Sequence, residues 1–427
     1  MRHKLRICIL SGTLLLCTNA IIAQNRISSS QNITSKSKTY YLSDTTRYSE
    51  ATGYGYDFQP TPTKKSKAPF FFSVREPDGD YLVTVRLGSK KKAGCTTVRG
   101  ESCRLFIMNL PTARKEIIDT SFVINVRSPK INDKESVHLK KRELKKLNWD
   151  KKLTLEFNGD APVCQSITIR PADPSVINVF LCGNSTVVDQ DNEPWASWGQ
   201  MIPSFFDTAV CIANYAESGE AANTFHAAKR FEKALTQMKA GDYVFIQFGH
   251  NDQKQKGPGV GAYYSFITSL KVLADEAKTK GAHVVLVTPT QRRSFNTTGH
   301  IVDTHGEYPD AMRWMAAKEH LPLIDLNKVT RTLYETLGVE GSKHAFVQYP
   351  AGTYPRQNVE LKDNTHFNPY GAYQIAKCVA EGIKKVVPEL AKHLTLKASY
   401  NPAKPDDMKT FHWNNSPFTD MQKPDGN

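Results

Sequence analysis

Short apolar runs and stretches of helical periodicity alternate through the second half of the chain. The runs fall at residues 176–181, 209–213, 243–248, 283–287 and 322–326. Between them, Phe231, Ala234, Leu235 and Met238 repeat at helical spacing within 225–238, and Tyr264, Ile267, Leu270, Leu273, Ala274 and Ala277 do so within 264–277. Strands that alternate with helices predict βαβ units and a parallel sheet. The first half reads differently. Within 68–170, strand-like runs at 70–74, 81–87, 103–108, 121–126, 153–157 and 166–169 are separated by turn residues such as Pro77-Asp78-Gly79-Asp80. That pattern predicts a β-sandwich, with Pro171-Ala172-Asp173-Pro174 as the linker.

The extreme N-terminus has a pattern of its own. Arg2, Lys4 and Arg6 precede an apolar stretch over 7–22, and Ala23 offers a small residue at a cleavage point. This is expected to be a secretory signal peptide, 1–23. Lipidation of Cys17 is disfavoured by the bulk of Leu16. Beyond it, no apolar run approaches the ~18 residues of a membrane span, and the mean hydropathy of −0.45 argues against a polytopic membrane protein.

The chain has 427 residues, ample for two or three domains. Its net charge of +14 is unevenly spread: residues 24–172 carry +12 and residues 173–427 carry −1. Such asymmetry speaks to partners rather than fold. Outside the cytoplasm it points to an acidic polysaccharide, anionic lipid or lipopolysaccharide before nucleic acid. The plainer reading is a solvated surface, with Lys140-Lys141-Arg142 and Lys145-Lys146 on the exposed face of a short helix. Export permits disulfides. Cys95 and Cys103 flank a candidate hairpin and are candidates to pair, whereas Cys182 and Cys211 lie in apolar runs and are expected as buried free thiols.

A parallel sheet places its ligand at the carboxyl ends of its strands. After the first run comes Gly183-Asn184-Ser185-Thr186, after the second Ser218-Gly219, after the third Gly249-His250-Asn251-Asp252, and near the chain end Asp363-Asn364-Thr365-His366. A serine hydroxyl needs a base: His366 can take its proton, and Asp363, three residues away on one loop or helix start, can hold the imidazole. The backbone N–H groups of Ser185 and Gly219 and the Asn251 amide can receive an oxyanion. Taken singly, Ser185 reads more readily as a helix N-cap, and Asp363 as the cap of a helix holding His366.

The joint order (Ser, Gly, Asn, then Asp-x-x-His) resembles the SGNH, or GDSL-type, hydrolase superfamily over roughly 175–390. Where that family commonly has Gly-Asp-Ser, this chain has Gly183-Asn184-Ser185. A closer resemblance is to rhamnogalacturonan acetylesterases. It is carried by Gly183-Asn184-Ser185-Thr186-Val187, Phe248-Gly249-His250-Asn251-Asp252, Thr288-Pro289-Thr290-Gln291-Arg292-Arg293, the run from Gly306 to Met312, and the run from Asp363 to Ala372. The resemblance implies a three-layer α/β/α hydrolase domain (175–392) with Ser185 as nucleophile, Gly219 and Asn251 as oxyanion donors, and Asp363 and His366 completing a triad. It also implies a β-sandwich, galactose-binding-like accessory domain (24–172), a C-terminal tail (393–427), and removal of O-acetyl groups from galacturonate in pectin by a secreted or periplasmic enzyme.

Arg292 is a candidate to clasp a uronate carboxylate, Trp195 to stack on a sugar, and His250 to touch substrate. Asp189, Asp191 and Glu193 have the spacing of calcium ligands but lack the rest of a calcium loop, and read as a solvated loop. No nucleotide fingerprint is present, and no metal or organic cofactor is expected. The alternatives are acetyl removal from xylan or another glycan, and a non-catalytic polysaccharide-binding protein on an esterase scaffold.

Overall fold

The computed structural model describes residues 37–58, 68–396, 399–418 and 423–425. The expected signal peptide, with Cys8 and Cys17, lies outside them.

Among the described residues, nine strands precede residue 172: β1 (Lys38–Tyr41), β2 (Tyr54–Asp57), β3 (Phe70–Arg75), β4 (Gly79–Gly88), β5 (Gly94–Gly100), β6 (Arg104–Thr112), β7 (Ile117–Val126), β8 (Lys152–Ala161) and β9 (Cys164–Pro171). They form two antiparallel sheets, ordered β1-β9-β4-β7 and β2-β3-β8-β5-β6. In β4 the side chains alternate, with Tyr81, Val83, Val85 and Leu87 buried. They share one apolar cluster with Ile124, Leu153, Leu155, Phe157 and Ile167 from both sheets. The hairpin expected around 95–103 is present as β5 and β6, but its register sets Cys95 opposite Pro111. Cys103 lies in the turn, so the two cysteines do not meet, and both are free. Cys182 and Cys211 are free and buried.

The second half builds a five-stranded parallel sheet from β10 (Ile177–Gly183), β11 (Val210–Asn214), β12 (Tyr243–Gln247), β13 (His283–Val287) and β14 (Leu323–Ile324), in the order β11-β10-β12-β13-β14. Alternate side chains of each strand enter different cores. Phe180, Val244, Ile246 and Leu286 pack with Phe225, Phe231, Leu270 and Met312 of helices Ala222–Ala227, Arg230–Gln237, Ile267–Thr279 and Tyr308–Lys318. Val179, Leu181, Phe245 and Val285 pack with Leu333, Ile375 and Val379 of helices Leu326–Gly341 and Pro369–Val386. The result is three layers, with the chain stepping to opposite sides of β10 at β11 and β12. A crevice forms at such a switch point.

Three local expectations change. The single helix read over 225–238 breaks at Lys229, whose φ of 58° is left-handed. The helix after Tyr264 begins with a widened turn, Ala262–Phe266. Asp363 and His366 lie on a strand, β16 (Leu361–Phe367), paired antiparallel with β15 (Phe346–Tyr349), rather than on a loop or helix start. The cap of the following helix is Asn368, whose Oδ1 accepts from Gly371 N at 3.0 Å.

All described residues belong to one compact unit. Buried ion pairs join the first half of the chain to the second. Arg104 Nε donates to Asp189 Oδ2 at 3.0 Å, and Lys146 Nζ lies 3.0 Å from Glu217 Oε2. Arg230 pairs with Glu143.

Candidate active site

β10 delivers Ser185 two residues past its last ladder pair, Gly183 opposite Gln247. The turn that holds it is organised by Asn184. Its Oδ1 accepts from Thr186 N (3.2 Å) and Thr186 Oγ1 (3.0 Å), and its carbonyl accepts from the N–H of Val187 and Val188. The amide oxygen therefore orders this loop without a carboxylate. Gln190 Nε2 donates to the Ser185 carbonyl at 2.8 Å.

Ser185 Oγ lies 2.8 Å from His366 Nε2, and His366 Nδ1 lies 2.7 Å from Asp363 Oδ2. Asp363 Oδ1 accepts from the N–H of Thr365 and His366, at 2.9 and 3.0 Å. Burial raises the Asp363 pKa. The hydrogen bond and charge of His366, with the backbone donors, outweigh it and hold the carboxyl well below the usual range. Asp363 thus stays ionised and fixes its neighbour's ring. Trp195 Nε1 approaches the same carboxylate at 3.4 Å, and Lys423 Nζ lies 3.8 Å from it.

Gly219 follows β11 with a φ of 82°, a conformation that suits glycine. A Cβ there would lie 2.8 Å from Asp425 Cβ and 3.3 Å from Lys140 Nζ. Asn251 follows β12, and its Nδ2 donates to the Glu220 carbonyl at 3.0 Å, which leaves a second N–H on that amide. Asp252 clasps the β11 and β12 loops together, accepting from Ala222 N and Gly249 N, each at 2.8 Å. Burial raises its pKa to about 6 against those two donors.

Gly219, Asn251, Lys254, Lys140 and Asp425 line one depression of about 440 Å³. An adjoining cavity of about 640 Å³ is lined by Trp195, Gln190, Ser218, Arg142 and Lys423 among others. Trp195 is 2% exposed, so it offers an edge rather than a stacking face. Arg292 is spent on the protein: its guanidinium donates to the Thr304 carbonyl, Thr304 Oγ1 and the His250 carbonyl. His250 is buried against His305, with ring centroids 4.6 Å apart. Burial, then His305 and Arg292, push its pKa well down. The structure thus brings Ser185, His366 and Asp363 into one chain of hydrogen bonds, while Arg292 bonds to Thr304 and the His250 carbonyl and the His250 ring packs on His305.

The segment after the nucleophile is not the solvated loop expected from its acids. Asp189 is fully buried against Arg104 and Asn214, and Glu193 against Arg99 and Trp413. Sequence reading missed Lys140 and Arg142, which reach the β11 loop from the first half of the chain, and Asp425, which pairs with Arg142. Their only signal was the charge run itself.

An imidazole between a hydroxyl and a carboxylate is the equipment for acyl transfer through a serine ester. The profile of the GDSL-like lipase/acylhydrolase family matches residues 179–372, which span β10 to the helix after His366. The chain belongs to that family and is a carboxylic ester hydrolase. Among its relatives is the rhamnogalacturonan acetylesterase RhgT of Bacillus subtilis (strain 168), 43% identical over 51% of this chain and 94% of that one. The same organism's probable rhamnogalacturonan acetylesterase YesY is 31% identical over 49% of this chain and 93% of its own. The crystal structure of the Bacillus subtilis protein YxiM aligns with 82% of this chain and 98% of its own, at 22% identity and a TM-score of 0.47.

Proposed function

We propose that the protein is a serine acetylesterase that removes O-acetyl groups from a uronate-bearing polysaccharide of the rhamnogalacturonan type. The observation that carries this reading is the 2.8 Å and 2.7 Å chain from Ser185 Oγ through His366 to Asp363. In this reading Ser185 Oγ attacks the acetyl carbonyl carbon as its proton passes to His366 Nε2. The carbonyl oxygen becomes an oxyanion, received by the N–H groups of Ser185 and Gly219 and by the free N–H of Asn251. Collapse breaks the bond to the sugar, whose oxygen leaves with the proton from His366. Water then attacks the acetyl-serine with His366 again as base, releasing acetate and restoring Ser185. Asp363 stabilises the imidazolium in both halves.

The substrate class is supported by the names of the relatives and by the +12 charge of residues 24–172. The N-terminal pattern supports export, so the proposed site of action is outside the cytoplasm. The test is acetate release from acetylated rhamnogalacturonan, acetylated homogalacturonan and acetylxylan, with an aryl acetate alongside. Fastest release from rhamnogalacturonan is expected. Preference for xylan would move the substrate to a neutral glycan, and no release from any of the four would leave a binding protein. Exported protein beginning at Gln24 would support the placement.

A further inference from the structure

Two cations of the charge run at 140–146 reach the peptide that joins Ser218 to Gly219. Lys140 Nζ donates to the Ser218 carbonyl at 2.6 Å, and Arg142 Nη2 donates to the same oxygen at 2.8 Å. The Ser218 carbonyl and the Gly219 N–H belong to one planar trans peptide and point in opposite directions. Holding the oxygen outward therefore holds the N–H facing the other way. The backbone at Gly219 gains from such a hold, because a glycine at a φ of 82° has no side chain to fix the orientation of its peptide. Each cation is itself braced from the β11 loop: Lys140 lies 2.7 Å from Glu220 Oε1, and Arg142 pairs with Glu217 at 2.7 Å. Glu217 is buried, and its backbone N–H donates to the Gly183 carbonyl beside the nucleophile turn at 3.1 Å. The frame thus runs from the end of β10 through Glu217 and Arg142 to the peptide that carries Gly219.

We propose that Lys140 and Arg142, supplied by the β-rich half, are positioning residues that orient and polarise the Ser218–Gly219 peptide as an oxyanion donor. This rests on the reading of Ser185 and Gly219 given above. Two positive donors on a carbonyl draw charge through the peptide and make its N–H a stronger donor. The gain is realised where the substrate oxygen becomes an anion, so the loss should fall on kcat rather than on KM.

The experiment uses the full chain with Arg142→Gln, Arg142→Lys, Lys140→Met and the double variant Arg142→Gln/Lys140→Met. An oxyanion donor is worth on the order of 10²–10³ in kcat, and a misaligned one loses part of that. Each single loss is expected to lower kcat about 10-fold, and the double variant ~100-fold, on a neutral aryl acetate and on an acetylated oligosaccharide alike, with KM shifting less than about 3-fold. Arg142→Lys should recover most of the loss, since an ammonium can still donate to the Ser218 carbonyl. The Ki of phenylboronic acid, which forms a tetrahedral anion on a nucleophilic serine, should rise by the same factor as kcat falls. An unchanged kcat and boronate Ki in Lys140→Met and Arg142→Gln would overturn the proposal. So would a rise in KM confined to uronate-bearing substrates, which would make the pair a substrate clamp. If Arg142→Gln folds poorly, Lys140→Met decides, since its ammonium side chain is 31% exposed. A Ser185→Ala protein that kept its activity would instead sink the serine mechanism as a whole.

Discussion

The side chain of Ser185 makes one hydrogen bond among the described residues, to His366. Ser185→Ala should therefore leave the melting temperature near its starting value while lowering kcat by ~10⁴-fold or more on an aryl acetate. Near-normal turnover in the folded variant would remove the serine from the mechanism. Asn251→Ala differs, because the same amide that is proposed to face the oxyanion also ties its loop to the Glu220 carbonyl. It should lower kcat by about 10²–10³, with a smaller change in KM; a change confined to KM would make Asn251 a substrate contact. Ser185 was legible because it follows a buried run that a parallel sheet brings to one edge, and Asp363 and His366 because an Asp-x-x-His spacing suits a carboxylate that holds an imidazole. Arg142 was not legible, because its partner carbonyl lies 76 residues away and nothing local to either position marks the meeting. Trp195 read as a residue to stack on a sugar. It is buried, with its indole N–H turned to Asp363 and an edge on the neighbouring cavity.

The strands of the parallel sheet were legible as elements because burial on both faces makes each a continuous apolar run. β5 was not, since Gly94-Cys95-Thr96-Thr97 has neither a run nor an alternation that marks a strand. The strand carrying His366 was hidden by its polar composition, and its partner β15 supplies the ladder that makes it one. The segment between Ser185 and the following helix gives a prediction at this scale. Burial, against the pull of Arg99 and with the added repulsion of Glu156, raises the Glu193 pKa from an ordinary 4.5 to about 7. The folded protein thus favours the protonated form. The stability that Glu193 contributes is present below about pH 4.5 and is lost as pH rises toward 7, a change on the order of 2 kcal/mol. Glu193→Gln keeps an oxygen for the Trp413 indole N–H and removes the titration. Melting temperatures measured at pH 5 and pH 8 should differ less in Glu193→Gln than in the parent. An equal difference in both proteins would mean that Glu193 is ionised throughout.

At the scale of the molecule, the charge split between the two halves is partly consumed inside it. Arg99, Arg104, Lys140, Arg142 and Lys146 of the basic half pair with Glu193, Asp189, Glu220, Glu217 and Asp191 of the other. The asymmetry was visible in the sequence, but its destination was not, since composition does not say which charges are buried. The seam beside the nucleophile makes the two halves interdependent. Asp189, four residues past Ser185, is fully buried, and Arg104 on β6 is its only cationic partner among the described ion pairs. Removing one member of such a pair strands a charge in the interior, at a cost of ~3–5 kcal/mol, whereas replacing both with apolar groups of similar volume is often close to neutral. Arg104→Met should therefore lower the melting temperature by roughly 5–10 °C. It should also lower kcat, because Asp189 accepts from Asn214 Nδ2 at 2.8 Å at the end of β11. The double variant Arg104→Met/Asp189→Leu should recover more than half of the lost melting temperature. A drop of less than about 2 °C in the single variant, or a double variant no better than the single, would mean that the β-rich half is held to the hydrolase layers by its apolar contacts and not by this pair.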